Sequence, residues 1–335
     1  MAVITGTTGN DELVGTPGDD VLRGLAGNDT LEGLDGFDDY RGGPGDDTFN
    51  ISLPGETAKG IEIYDGGTGY DTIDCTISTL SGFADFALAV FDDIEAFNVA
   101  GSAWMRFDQV QSLQSISATI ISLYGFGQLN FTAKTYAVFS IGIGYDGPSR
   151  LVLTGQTALP DYIVTCHGFD DVVFGPDSAS LIMGFEGSDI LRGGLGGDQI
   201  EGGRGGDRLS GGGGDDILIG GRGTDALAGG MGADRFRFES LADSWPGSAR
   251  DFIVDFEPGA DLIDLSGVAA SIKTTLFLQA TPGEPFSGTA GEIRTYENIG
   301  GTRTLIALDA DGDGAPDFSI SLDGFHALTE ADFIL

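Results

Sequence analysis

The sequence predicts an all-β fold, a right-handed parallel β-solenoid, from three observations. A glycine- and aspartate-rich motif recurs every nine residues in two arrays, and one position of that motif is always apolar. The stretch between the arrays is dense in β-formers and poor in acids.

The first array starts at Gly6 and holds its register through "GTTGNDELV", "GTPGDDVLR", "GLAGNDTLE", "GLDGFDDYR" and "GGPGDDTFN". Position four is Gly9, Gly18, Gly27, Gly36 and Gly45, and position six is Asp11, Asp20, Asp29, Asp38 and Asp47. Position eight is Leu13, Leu22, Leu31, Tyr40 and Phe49. A further copy, "GGTGYDTID", stands out of step at Gly66 with Asp71 as its aspartate. The second array runs from Gly184 through "GFEGSDILR", "GGLGGDQIE", "GGRGGDRLS" and "GGGGDDILI". It continues with "GRGTDALAG" read from Gly221 (in register from Gly220), and ends on "GGMGADRFR". Its position-four glycines are Gly187, Gly196, Gly205, Gly214, Gly223 and Gly232; its aspartates are Asp189, Asp198, Asp207, Asp216, Asp225 and Asp234. Position eight is Leu191, Ile200, Leu209, Leu218, Leu227 and Phe236. Just upstream, "GPDSASLIM" keeps the length but puts Ser180 where the aspartate belongs, and reads as a copy without a ligand.

Each position has a physical job. Glycine takes positive φ and lets backbones approach closely, as a tight turn around an ion requires. Turn carbonyls and the position-six carboxylate are hard oxygen donors suited to Ca²⁺ and its flexible set of ligands. The residues after the aspartate form a short strand whose position-eight side chain points into a narrow core. Two such units make one turn of a parallel coil, with calcium between successive turns. A flexible Gly/Asp-rich linker would not hold an apolar residue at position eight.

Bulk properties agree. Acids outnumber bases by 52 to 16, a formal charge of −36, which favours cations and disfavours nucleic acid and anionic membrane as partners. The 22 phenylalanines among 335 residues argue against a purely disordered polymer despite 57 glycines. The opening "MAVITGTTGNDELVG" lacks the basic and apolar regions of a secretory signal peptide, and no run is long and apolar enough for an ordinary transmembrane helix. Cys75 and Cys166 leave open one bond between them or two unrelated thiols.

This array resembles the RTX family, whose nonapeptide winds into a calcium-filled parallel β-roll. The resemblance covers roughly residues 6–74 and 175–237, with Thr7, Leu25, Leu34 and Phe185 in place of the second glycine. After the second array, "GADRFRFESLADSWPGSARDFIVDFEPGADLIDLSG" and the segment from "FSGTAGEIRTYENIGG" to the terminal "ADFIL" resemble the region that follows the roll in serralysin-type secreted metalloproteases. That resemblance implies a β-rich cap carrying an uncleaved signal for a type I, ABC-driven exporter, and therefore an extracellular location. The protease itself is not expected. The chain has only His167 and His326, neither in an H-E-x-x-H helix, and no G-x-S-x-G. Both histidines read as packing or surface residues.

Between the arrays, runs such as "SISATIISLYG" and "LNFTAKTYAVFSIGIG" suit either solenoid turns that close without metal or an independent all-β domain. "YGFG" (Tyr124 to Gly127) faintly resembles a motif of β-helical alginate epimerases, but "QLN" follows in place of the catalytic continuation. Arg106, Lys134, Arg150 and the acids Asp92, Asp93, Asp108 and Asp146 are read either as a lyase-type site for anionic sugars or as solvated turn residues. "DADGDGAPD" places Asp309, Asp311, Asp313 and Asp317 around Gly314, either as half of a calcium loop or as an acidic hairpin turn.

The expected organisation is an N-terminal calcium roll over 1–75, a metal-free β-helical segment over 76–165, a second roll over 166–238, and a cap with export signal over 239–335. The expected function is a secreted, calcium-binding protein without an active site, serving as an extracellular binding, adhesion or matrix component. Its expected partners are calcium, a type I exporter, and an extracellular polysaccharide or cell surface. The alternative is a β-helical polysaccharide lyase or epimerase. Ordering glycine-rich turns costs roughly 1–2 kcal/mol per residue in backbone entropy. Short strands offset little of that, so folding is expected to be coupled to metal binding.

Overall fold

The computed structural model describes residues 1–51, 62–75, 83–85, 89–99, 102–106, 113, 115–124, 128–130, 135–143, 149–153, 162–279, 282–297 and 302–335. The chain divides into two compact units, Met1–Asp146 and Gly147–Leu335.

In the first unit, two parallel sheets stack the alternate strands of the coil. One orders Val3–Thr5, Val21–Arg23, Asp39–Pro44, Ile63–Thr68 and Val90–Asp92. The other runs through Glu12–Val14, Thr30–Glu32, Thr48–Asn50, Thr72–Cys75, Ala96–Val99, Ser115–Tyr124 and Thr135–Gly142. Register follows the apolar position. Leu13, Leu31, Phe49, Ile73 and Phe97 stand one above another, as do Leu22, Tyr40, Tyr64 and Phe91. The repeat of one turn is first 18 residues and then 24. The core here is aromatic. Tyr40 and Tyr64 stack with centroids 4.8 Å apart, and Phe49 meets Tyr64 edge-on.

The second unit repeats the design. One apolar column is Leu151, Val173, Leu191, Leu209, Leu227 and Ile253; the other is Val164, Ile182, Ile200, Leu218, Phe236 and Ile263. All are buried. Strands here lengthen to as many as seven residues, as in Gln199–Gly205 and Ile217–Gly223, because glycines of adjacent turns also pair.

The roll is closed by a different architecture. Phe318–Asp323 pairs in parallel with Asp251–Ile253, then antiparallel with Arg303–Asp309, which pairs antiparallel with Glu292–Glu297. A helix, Ser266–Ile272, ends on Lys273 in the left-handed conformation (φ 56°). The terminal strand Phe333–Ile334 docks on Leu262–Asp264, placing Phe333 over Ile263. These elements cover the end of the stack, where an open edge would otherwise recruit another chain.

Cys75 and Cys166 are both buried, and neither is in a disulfide. Of the charged residues between the arrays, Asp108, Lys134 and Asp146 lie outside the described residues. His167 stacks on Phe185, and His326 packs edge-on against Phe256 with Nε2 2.6 Å from the Asp323 carbonyl.

Each half-turn contributes one apolar side chain, so truncation cannot be shared among neighbours. Leu218→Ala is expected to destabilise the calcium-saturated protein by about 2–5 kcal/mol, read as an earlier urea midpoint. An unchanged midpoint would show that the single-file core does not carry the stack.

Candidate metal centre

The position-six aspartates form vertical ladders of carboxylates. In the first unit the amide of Asp11 donates to Asp29 Oδ1, that of Asp29 to Asp47 Oδ1, and that of Asp47 to Asp71 Oδ1, each at 2.8 Å. On the opposite edge the Asp20 amide donates to Asp38 Oδ1 at 2.7 Å. The second unit has two longer ladders. One links Asp171, Asp189, Asp207, Asp225 and Asp251; the other links Ser180, Asp198, Asp216, Asp234 and Asp261. The rung spacing comes from the 18-residue turn, which brings equivalent residues into parallel register.

One oxygen of each carboxylate is thus engaged. The other is not. Oδ2 of Asp29, Asp38, Asp47, Asp71, Asp171, Asp189, Asp198, Asp207, Asp216, Asp225, Asp234 and Asp251 is buried without a hydrogen-bond partner. An orphaned buried carboxylate oxygen is costly unless something outside the polypeptide satisfies it.

The first glycine of each motif explains the remaining shape. A Cβ on Gly24 would press on Asp29 Oδ2 and lie 2.6 Å from the Gly42 carbonyl of the next turn. Gly42, Gly193 and Gly211 repeat this arrangement with Asp47, Asp198 and Asp216, each 2.7 Å from the next carbonyl. The cradle is therefore a space between turns bounded by a carboxylate oxygen and a backbone carbonyl. All these donors are hard oxygens, and they fit calcium.

The position-four glycines serve a neighbouring need. Gly27, Gly36, Gly45, Gly187, Gly205, Gly214, Gly223 and Gly232 have positive φ, and a Cβ on Gly27 would sit 2.6 Å from the Gly9 carbonyl carbon. Gly18 (φ 159°) and Gly9 have no such neighbour below, and Gly196 lies over Ala179. Position two also demands the left-handed region. Leu25 (φ 84°), Leu34 (φ 70°) and Phe185 (φ 68°) occupy it without being glycine, at a local cost of order 1–3 kcal/mol each.

The first rungs differ. Asp11 Oδ2 accepts from the Thr7 amide and hydroxyl at 2.6 and 2.9 Å, and Asp20 Oδ2 accepts from those of Thr16 at 2.7 Å each. The Thr16 hydroxyl holds the Asp20 carboxyl below the usual carboxylate range. Ser180 contributes its amide and hydroxyl to Asp198 Oδ1, both at 2.7 Å, so the copy without an aspartate still holds its rung.

Sequence reasoning missed several ladder members. Asp171 lies 18 residues before Asp189 and was legible from the period alone. Asp251 and Asp261 lie 26 and 27 residues beyond Asp225 and Asp234, at spacings the nonapeptide does not contain. Glu62 and Glu95 stand in aspartate positions, as the pairing of Ile63 with Asp39 and of Ala96 with Thr72 requires.

The acidic hairpin is chemically distinct. Asp309, Asp311 and Asp317 bring one ligand atom each within 4.8 Å of one another, while Asp313 is not part of that group. Asp309 already accepts from the amides of Gly312 and Gly314, Asp317 from Ala310, and Asp313 from Ala315. These bonds are those of a self-closing turn.

Residues 5–40 and 168–200 match the model of the RTX calcium-binding nonapeptide repeat, and residues 199–335 match that of the peptidase M10 serralysin C terminus. The chain is an RTX calcium-binding protein. It is 36% identical over 95 residues to metallopeptidase AprA of Pseudomonas marginalis, a match of 28% of this chain and 18% of that protein. It is also 36% identical over 105 residues to mannuronan C5-epimerase AlgE2 of Azotobacter vinelandii, 29% of this chain and 10% of that protein. The chain thus spans less than a fifth of either relative. Among solved structures, the AlgE6R3 subunit of the A. vinelandii mannuronan C5-epimerase is 37% identical, with 44% of this chain and 77% of that one covered at a TM-score of 0.34. The AlgE6R2 subunit is 29% identical over 53% and 94% of the two chains, at a TM-score of 0.30.

The electrostatics of the RTX ladders follow from burial. Desolvation pushes Asp38, Asp47, Asp71, Asp171, Asp198 and Asp207 up to about 6, and Asp189, Asp216 and Asp225 up to about 7. Asp251 is pushed to about 9 by burial and by the Asp225 charge above it. Without metal, the folded state therefore binds more protons than the unfolded chain, whose carboxyls titrate near 3.9. Apo stability is greatest below about pH 4 and is lost as pH rises through about 6–7. In calcium-free buffer the roll is expected to retain more β-structure by circular dichroism at about pH 5 than at about pH 7, and calcium affinity should run the opposite way. Calcium-free β-structure that increases with pH across this window would contradict the assignment of buried, unmetallated carboxylates.

Proposed function

We propose that this RTX chain is an exported protein whose rolls fold around calcium outside the cell, acting there as a binding, adhesion or matrix component rather than as an enzyme. The carrying observation is the set of twelve buried aspartate Oδ2 atoms with no protein partner, stacked turn over turn. Asp29, Asp38, Asp47 and Asp71 would hold calcium in the first roll, and Asp189, Asp198, Asp207, Asp216, Asp225 and Asp234 in the second. Carbonyls of the turn glycines would complete each site. Asp11 and Asp20 act as a closing rung in which threonines take the place of metal. The proposal does not extend to Asp309, Asp311, Asp313 and Asp317, each of which accepts at least one amide of its own turn.

Bound calcium supplies the positive charge that lets like-charged carboxylates stack. The chain's part is to present them in register, to keep the cradles free of Cβ atoms, and to exclude water behind one apolar column per edge. Such a fold is weak where calcium is scarce and firm where it is abundant, which suits passage through an exporter before folding. The serralysin C-terminal match supports the type I route, and the charge of −36 supports a calcium-rich destination. The proposed organisation remains two calcium rolls over 1–75 and 166–238, a metal-free stack over 76–165, and a capping and export region from 239. An extracellular polysaccharide or cell surface is the proposed partner class.

Far-UV circular dichroism during a calcium titration tests the central claim. β-structure is expected to appear at roughly 10⁻⁴–10⁻³ M calcium, the range of extracellular modules, and to vanish with excess EGTA. Complete β-structure in EGTA at neutral pH would overturn it. Uronate polymers incubated with the calcium-loaded protein are expected to show neither cleavage nor epimerisation.

A further inference from the structure

One carboxylate ladder of the first unit runs past its last nonapeptide aspartate into Glu95, and at the end of the other Glu62 lies beside Asp38. One of these ends is described completely. The strand Val90–Asp92 pairs with Ile63–Thr68 so that Asp92 lies beside Asp65, which places Asp93 beside Gly66, the first glycine of the last motif. The strand Ala96–Val99 pairs Ala96 with Thr72, which places Glu95 beside Asp71. Only Ile94 separates Asp93 from Glu95, whereas Gly66 and Asp71 are separated by a full glycine-rich turn.

Despite this shortcut the same atoms meet. The Asp71 amide donates to Glu95 Oε2 at 2.8 Å, as the Asp47 amide does to Asp71 Oδ1. The amides of Glu95 and Ala96 return to the Asp71 carbonyl at 3.0 and 2.9 Å. A Cβ built on Gly66 would lie 2.6 Å from Asp71 Oδ2 and would press on the Asp93 carbonyl, where Gly24 and Gly42 meet the carbonyl of a glycine one turn on. Asp93 brings its carbonyl there by adopting φ 49°, a left-handed conformation that aspartate tolerates better than most residues. Asp71 itself is wholly buried, and its Oδ2 has no hydrogen-bond partner.

We infer that the calcium proposed at Asp71 is completed by the Asp93 carbonyl and the Glu95 carboxylate, one turn beyond the last nonapeptide and in a segment with no glycine-rich motif, so that the metal-free stack begins only after Glu95. The inference rests on the proposed calcium occupancy of the ladders and extends it. Glutamate suits this position physically. With the turn shortened, the backbone no longer curls around the ion, and one extra methylene restores the reach of the carboxylate. The site also gives the following stack a charged floor that the metal neutralises, which is where the chain changes from calcium-filled turns to turns with β-rich, acid-poor sequence.

The test counts calcium per chain by equilibrium dialysis of the concentrated full-length protein against radiolabelled calcium held at or above about 10⁻³ M. Glu95→Gln keeps an amide oxygen for the Asp71 N–H but removes the charge, and is expected to lose one calcium per chain. Asp92→Asn, on the exposed neighbour, is expected to lose none. An unchanged count in folded Glu95→Gln overturns the site. Should that variant fail to fold, crystals of the unaltered protein soaked with Tb³⁺ decide. An anomalous peak between Asp71 Oδ2 and the Asp93 carbonyl supports the site, and its absence beside peaks at Asp29 and Asp47 refutes it. No peak on any ladder would instead remove the underlying calcium reading.

Discussion

A buried carboxylate with one oxygen bonded to the chain and the other to nothing in the chain is the constraint on which this molecule is organised. Oδ1 of each ladder aspartate receives the amide of its counterpart one turn earlier, which locks the turns in register. Oδ2 faces the glycine five residues before it, across a gap that only a missing Cβ leaves open. In the twelve orphaned cases no amide or hydroxyl of the described residues reaches Oδ2, so hydrogen bonding within the polypeptide leaves the site incomplete. The fold is therefore written for a cation as much as for a core.

The rest of the architecture accommodates that choice. A coil of 18 residues per turn has room for one apolar side chain per edge and per half-turn, so its hydrophobic contribution is small and strictly serial. Where the repeat changes from 18 to 24 residues the core is aromatic, with Tyr40 stacked on Tyr64 and Phe49 edge-on to it. Polar substitutions gather at the ends of ladders. Threonine hydroxyls serve Asp11 and Asp20, Ser180 stands in for an aspartate, and Glu62 and Glu95 follow the last nonapeptide carboxylates of the first unit. Each is a way to finish a repeating charge array without leaving a bare carboxylate in a dry turn.

The cap solves a different problem. A parallel stack exposes unpaired backbone at its last turn. Asp251 and Asp261 take over the rung positions, and the antiparallel strands and the docked Phe333–Ile334 cover the apolar columns at Ile253 and Ile263. The cap thus continues both the ladder and the core for one turn before ending them. Among the described residues, no helix is long and apolar enough to cross a membrane.

How much of this was legible in the sequence divides along the line between local and non-local geometry. Periodicity alone established the parallel coil, the columns at position eight, the ladder aspartates from Asp29 to Asp71 and from Asp189 to Asp234, and calcium as the ion their chemistry suits. Those features repeat within nine residues, so each copy states them again. Tertiary pairing decided the rest. Asp251, Asp261 and Glu95 become rungs only because strands separated by 24 to 27 residues lie side by side, a spacing no motif records. The same pairing separates satisfied carboxylates such as Asp20 and Asp309 from orphaned ones such as Asp198. Composition is equal in the two cases, and the difference lies in which amide or hydroxyl the fold brings within reach.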